Sequence, residues 1–80
     1  MTIEQLRNLH QARPFRPFTI CLADGRNMQV SHPELLTHSP GGRTLIVFHG
    51  GESFSILDLL LVTELRPHDP VSTNGQGNTQ

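Results

Sequence analysis

One stretch, residues 18–30, constrains the fold of this chain more than any other. Its apolar side chains alternate with other residues at a period of two, and the alternation resumes after Asp24-Gly25. A period of two is typical of a half-buried β-strand, and Asp-Gly between two such runs is a strong short-range signal for a hairpin. Residues 18–30 therefore predict a β-hairpin in which Phe18 and Ile20 share one face.

A second hairpin and a last strand are predicted further along the chain. Residues 44–48 and 53–57 are rich in β-branched and aromatic side chains, and Gly50-Gly51 lies between them. Glycine adopts the positive φ angles of tight hairpin turns without steric cost. A third apolar run spans residues 59–65. Around it, residues 58–60 predict a one-turn corner and residues 61–66 predict a final strand.

The first twelve residues predict a short amphipathic helix. Thr2 and Gln5 have the spacing of a capping box, and apolar residues recur at helical spacing as far as Leu9. Pro14 ends the helix, because proline and the residue before it are excluded from a helix interior. A helix over residues 3–12 is too short to be stable alone, so its apolar face is expected to pack on the sheet or on a partner.

Other segments are predicted to connect these elements. Residues 13–18, Arg-Pro-Phe-Arg-Pro-Phe, are expected to form a stiff, extended connector, because each proline restricts the residue before it. The alternative is a proline-rich ligand for an aromatic groove. Ser31 and Glu34 have the spacing of a capping box, so residues 32–37 predict one helical or 3₁₀ turn, and residues 39–42 predict a loop. The last segment, residues 69–80, is polar and rich in Gly, Asn and Gln, and is expected to be disordered.

Length and cysteine content bound the type of protein. Eighty residues form one domain, which at this size buries only about 60% of its unfolded surface and needs further stabilisation. Cys21 is the only cysteine, so the chain fits a reducing compartment and is not a disulfide scaffold. The sequence has no signal-peptide pattern, and its longest apolar run, residues 59–62, is too short to span a bilayer. We expect a cytoplasmic homo-oligomer without a membrane partner.

The predicted order is a helix followed by five short strands, with a break between the second and third strands. Over residues 18–67 this order resembles the Sm-like small barrels, the family that includes the bacterial RNA chaperone Hfq. Residues 20–26, Ile-Cys-Leu-Ala-Asp-Gly-Arg, resemble the first strand and its glycine turn. Residues 45–48 resemble the central strand, and residues 59–67 resemble the final strand, which in the family pairs with a neighbouring subunit. A second resemblance, to short bacterial proteins that end in a Leu-rich strand, implies no activity.

Taken with the hairpin signals, the resemblance implies a mainly β domain over residues 1–68. The expected fold is an N-terminal α-helix plus a five-stranded SH3/Sm-like small barrel. The resemblance alone also implies a ring that binds RNA, which is kept as the alternative. Two departures separate this chain from the family. Residues 28–31 lack the second glycine of the family's first motif. Residues 57–60, Leu-Asp-Leu-Leu, are acidic and apolar where Hfq-type proteins carry a basic pair that lines the RNA pore.

The distribution of charge does not favour RNA as a partner. The net charge of −1 arises from six arginines and seven acidic residues, and lysine is absent. Residues 1–43 carry +2 and residues 44–80 carry −3, whereas nucleic-acid binders usually have a basic balance or a dense basic stripe. The alternative to an anion or nucleic-acid site is a set of solvated turn arginines. The candidate residues for such a site are Arg13, Arg16, Arg26 and Arg43.

No motif in the chain predicts an enzyme, a metal site or a cofactor. The five histidines form no i, i+4 pair of the kind that binds zinc on a helix, and no cysteine pair accompanies them. Cys21 lies on a predicted strand. A half-buried small side chain is a simpler interpretation of it than a nucleophile activated by His32. The sequence therefore predicts no catalytic residues, no metal ligands and no cofactor.

The leucine-rich run near the end of the chain carries the functional prediction. It has too many apolar residues for a strand with one wet face, so its outer face or edge is expected to meet another copy. The predicted interface residues are Leu59, Leu61 and Val62. We expect a non-enzymatic, self-associating small-barrel module with a regulatory or protein-binding role, and the alternative is an Sm-like RNA-binding ring.

Overall fold

The computed structural model describes residues 2–68 of the chain. This part of the chain is mainly β, as predicted, with one α-helix and six short strands. In chain order the elements are α1 (Ile3–His10), β1 (Phe18–Leu22), β2 (Asn27–Val30), β3 (Leu36–His38), β4 (Thr44–Gly50), β5 (Ser53–Asp58) and β6 (Val62–Pro67). Two 3₁₀ turns, Pro33–Leu35 and Leu59–Leu61, precede β3 and β6. The tail predicted to be disordered, residues 69–80, lies outside the described residues.

The strands form two three-stranded antiparallel sheets, in the orders β2-β1-β6 and β3-β4-β5. The first predicted hairpin is confirmed, because Phe18 pairs with Val30 and Gly25 in the turn has a φ of +94°. The second is confirmed as well, because β4 pairs with β5 and both glycines of the turn have positive φ. β6 returns to pair with the other side of β1, so β1 is the central strand of its sheet.

The predicted five-stranded SH3/Sm-like barrel is wrong, because the described residues form six strands and neither sheet closes. Closure requires every strand to pair on both sides. The turn Pro33–Leu35 separates β3 from β2, and the turn Leu59–Leu61 separates β6 from β5. Each sheet therefore keeps two unpaired edges within the described residues. The additional strand, β3, has only three residues, which is too few to display an alternating pattern.

The N-terminal helix is confirmed, and both halves of its capping box form. The Gln5 backbone N–H donates to the Thr2 hydroxyl at 3.3 Å, and the Thr2 backbone N–H donates to the Gln5 side-chain oxygen at 3.0 Å. The helix ends at His10, two residues earlier than predicted, and its buried Leu6 joins the core. Packing on the sheets thus stabilises a helix that is too short to persist alone. No helix within residues 2–68 has the length and apolar character needed to cross a membrane.

A cluster of buried side chains joins α1 to both sheets. β1 is buried at all five positions, whereas β2 alternates between exposed and buried residues. Both faces of β1 are therefore covered, whereas β4, the middle strand of the other antiparallel sheet, leaves part of one face exposed. The buried cluster consists of Leu6, Phe18, Ile20, Leu22, Met28, Val30, Leu36, Leu45, Val47, Leu57, Leu59 and Val62.

Candidate interaction surface

Two of the four candidate anion-binding arginines are matched by carboxylates of the same chain. The Arg26 guanidinium lies 2.8 Å from the Asp24 carboxylate, and that of Arg43 lies 3.4 Å from Asp58. Backbone hydrogen bonds tie Ala23 and Arg43 to the turn Leu59–Leu61, so both ion pairs border the same 3₁₀ turn. Because each guanidinium has an acidic partner, this end of the molecule carries little free positive charge.

The carboxylates of these two pairs also accept backbone hydrogen bonds. The Arg26 backbone N–H lowers the pKa of Asp24, and the Arg26 side chain lowers it further. The Leu60 backbone N–H, 2.9 Å from the Asp58 carboxylate, lowers the pKa of Asp58, and the charge of Arg43 adds to this effect. Both acids therefore remain ionised at neutral pH and stabilise local turns.

The other two candidate arginines lie in the connector between α1 and β1. Arg13 and Arg16 are both exposed. The Arg13 side chain donates a hydrogen bond to the backbone carbonyl of Ala12 at 3.0 Å. The four arginines are thus divided between the connector and the end of the molecule that carries the turn Leu59–Leu61.

The predicted oligomer interface is divided between the core and the surface. Leu59 and Val62 are buried in the chain's own core, whereas Leu61 is 44% exposed. Its neighbour Leu60 is 68% exposed. In a 3₁₀ turn the three residues of one turn point in three directions, so adjacent leucines do not share a face. Of the three predicted residues, Leu61 is the one available to a partner.

A larger exposed apolar surface lies on the second sheet, where sequence analysis did not place a site. The pairing register sets Ile46 opposite Ile56 and Phe48 opposite Phe54 on the outer side of β4 and β5. Phe48, Phe54 and Ile56 are 36%, 53% and 64% exposed, and the two rings pack at a centroid distance of 5.9 Å. We call these four side chains the β4–β5 apolar face.

The strand that carries half of this face is also an edge strand. β5 pairs with β4 on one side and with no other strand of the described residues on the other. Residues 53–57 contain no charge and no proline. Native proteins usually protect such an edge with charged residues, prolines or bulges, because its unpaired backbone groups can pair with another chain. Between residues 53 and 57 the edge of β5 carries no charge and no proline; its one charged residue, Asp58, ends the strand, and the irregularity of the β4–β5 pairing lies beside the turn, between Phe48 and Gly50.

The sequence does contain a signal for this surface. In β4, Leu45 and Val47 point into the core while Ile46 and Phe48 point outwards, so both faces of the strand are apolar. A strand with one wet face normally alternates apolar with polar residues. The excess of apolar residues that predicted an interface in the leucine-rich run, residues 59–62, is thus present in β4 as well.

Several histidines of the described residues have hydrogen-bond partners within the fold. The ring nitrogens of His10, His49 and His68 lie 2.7 Å from the Pro33 carbonyl, the Ser55 hydroxyl and the Thr19 hydroxyl. Cys21 is buried and faces Asn27 across the hairpin, while His32 lies beyond the far end of β2. Within residues 2–68 no three His, Cys, Asp or Glu side chains come together as a metal site would require, and no pocket is found.

The β4–β5 apolar face and the edge of β5 are therefore the candidate functional site. Comparisons with protein-family models, with curated proteins and with solved structures found no match to this chain.

Proposed function

We propose that the protein is a non-enzymatic interaction module that self-associates through the β4–β5 apolar face. The observation that supports this proposal is the exposure of Phe54 and Ile56 on an unprotected edge strand. Exposed apolar residues are common singly, but a contiguous group that includes aromatic side chains marks an interaction surface. Arg26 and Arg43 are paired with acids, which weakens the case for RNA as the partner.

The energy available from this surface is appreciable for a small domain. An aromatic side chain offers about 150–250 Å² of surface, so the 53% exposure of Phe54 leaves about 100 Å² in water. Burying that area contributes about 2.5 kcal/mol for each copy at about 25 cal/mol per Å². Ile56 is 64% exposed, and burying it would also stabilise the associated form.

The same proposal places the protein in the cytoplasm, without a membrane partner. Cys21 is a buried, unpaired thiol, which suits a reducing compartment. We propose that the regulatory role depends on self-association, because the dimer presents two copies of each binding surface. A second protein partner would bind to the associated form.

Light scattering on a size-exclusion column tests this function. We expect the native chain to elute at about twice the 8.9 kDa mass of one chain. The double variant Phe54→Thr/Ile56→Thr should elute as a monomer, because threonine preserves strand propensity and removes the apolar surface. Leu60→Thr is the matched control, since Leu60 is 68% exposed but lies outside the β4–β5 apolar face, and it should remain associated.

Two results would contradict the proposal. One is a native chain that stays monomeric at millimolar concentration, and the other is a double variant that stays associated with an unchanged melting curve. Absorbance at 260 nm on the same untreated peak tests the RNA alternative. The chain has no Trp or Tyr, so strong absorbance there reports bound nucleic acid or nucleotide, and it would favour the RNA-binding alternative.

A further inference from the structure

Building on the proposed self-association, we infer that the two copies join edge to edge through β5. The two β5 strands pair antiparallel about a two-fold axis at Ser55, and β3-β4-β5 becomes half of a continuous six-stranded sheet. This pairing satisfies the backbone groups of an edge that the described part of the chain leaves unpaired. The partner is a second copy of the same chain.

The other free edges of the described residues are less suited to pairing. β6 carries the Glu64–Arg66 ion pair on its exposed side and ends at Pro67. β3 has three residues, and the exposed positions of β2 are the polar Asn27 and Gln29. Charges, proline and short length are the devices that discourage edge pairing. β5 has none of them between residues 53 and 57.

Exposure within the β4–β5 apolar face also increases towards this edge. Phe48, on the inner strand, is 36% exposed, whereas Phe54 and Ile56, on the edge strand, are 53% and 64% exposed. The uncovered apolar area is thus greatest beside the unpaired backbone groups. A strand added at that edge meets both features at once, which favours edge pairing over stacking of the two faces.

The sequence of β5 selects the register. Opposed residues in antiparallel strands point to the same side of the sheet, so a two-fold axis perpendicular to the sheet must pass through one residue position. An axis at Ser55 sets Phe54 of each copy opposite Ile56 of the other, and pairs of an aromatic with a β-branched residue stabilise sheets. An axis at Phe54 would oppose Ile56 with Glu52. An axis at Ile56 would oppose Phe54 with Asp58.

The charges at the ends of the paired strands are compatible with this register. Glu52 of one copy comes opposite Asp58 of the second, and Asp58 is held by Arg43 at 3.4 Å. The guanidinium therefore lies near two acids, one from each copy, and offsets their repulsion. Arg43, which sequence analysis proposed as an anion-binding residue, then meets a carboxylate of the second copy.

Cysteine cross-linking tests the register with a matched pair of variants. In this register the two Ser55 positions lie about 5 Å apart at their Cα atoms. The two Ser53 positions lie about 14 Å apart, because four residues of strand separate them. Ser55→Cys should be joined into a covalent dimer by mild oxidation about tenfold faster than Ser53→Cys. Ser53 is the more exposed residue of the two, so random collisions would favour the control. The native chain, whose Cys21 is buried, should not cross-link.

The outcomes separate this inference from the proposed function. If light scattering shows a dimer but Ser53→Cys cross-links as fast as Ser55→Cys, the register is overturned and self-association stands. A monomer overturns both, and a particle larger than a dimer overturns the two-fold arrangement. Amide hydrogen exchange on the native chain gives a second readout that needs no variant. Protection of residues 53–57 should increase with protein concentration while that of β6 does not, and equal changes in the two strands would contradict edge pairing through β5.

Discussion

Two glycines with similar backbone geometry and different surroundings offer a controlled test of how α1 docks. Gly42 has a φ of +77° and Gly25 has a φ of +94°. A Cβ atom added to Gly42 would lie 2.7 Å from Cγ1 and 3.0 Å from Cβ of Ile3, at the start of α1. A Cβ atom added to Gly25 would meet nothing within 4 Å. Alanine at each position therefore separates backbone strain from a steric clash.

The expected losses differ by the cost of that clash. Left-handed backbone costs an L-residue about 1–2 kcal/mol, and both variants bear this cost. Overpacking adds about 1–3 kcal/mol, which falls on Gly42→Ala alone because the crowded atoms belong to the base of the Ile3 side chain rather than to a flexible tip. Gly42→Ala should thus lose about 1–3 kcal/mol more of the free energy of unfolding than Gly25→Ala. In a domain of this size the difference lowers the melting temperature by at least about 4 °C.

Urea denaturation followed by far-UV circular dichroism measures both variants, since the chain has no Trp or Tyr for fluorescence. Ile3→Ala completes a double-mutant cycle with Gly42→Ala. It removes Cγ1 and Cδ1 of Ile3, so the second substitution should cost less in that background, by about 1 kcal/mol or more. Equal losses for the two glycine variants, or an additive cycle, would refute the packing of α1 against Gly42.

Three further predictions concern the helix cap, the pH dependence and the core. Thr2→Ala should lower the free energy of unfolding by about 1 kcal/mol, because it removes the hydroxyl of the capping box; chemical denaturation measures this, and an unchanged midpoint would contradict it. The pKa of Asp58 is lowered from 3.8 by the Leu60 N–H and then by Arg43, so its contribution to stability is present above pH 3.8 and is lost as the pH falls below it. Unfolding measured from pH 6 to pH 2 should therefore show a smaller loss for Asp58→Asn, and equal losses would oppose this assignment. Leu45→Ala should cost about 2–5 kcal/mol in a thermal melt, whereas a loss below 1 kcal/mol would mean that Leu45 is not in the core.

The parts of the fold that were predictable are those that local sequence encodes. The capping box depends on Thr2 and Gln5, which are three residues apart. The first hairpin depends on a short turn that joins two consecutive strands. In each case the interacting residues lie in one short window, where spacing and turn chemistry decide the structure. The helix and both hairpins were therefore predicted with errors of only a few residues at their ends.

Barrel closure was not predictable from the same signals, because it depends on which distant strands pair. A one-turn corner was predicted after β5, but no local signal shows that β6 pairs with β1 and leaves one edge of β5 unpaired within the described residues. The same turn explains why Leu61 is the only exposed residue of the predicted interface, while Leu59 and Val62 are buried. Its three residues per turn bury Leu59 and Val62 and leave both Leu60 and Leu61 exposed between them, whereas a strand would alternate buried and exposed residues.

The complete enclosure of β1 has a consequence for how this sequence can change over time. Every residue of β1 is buried, so each substitution there alters packed surroundings, whereas Asn27 and Gln29 of β2 can vary at little cost. β1 and β2 pair with each other, but β1 tolerates fewer substitutions than β2. Relatives of this chain should keep the character of residues 18–22 while β2 drifts at every second position, and a search for such relatives is best anchored on β1.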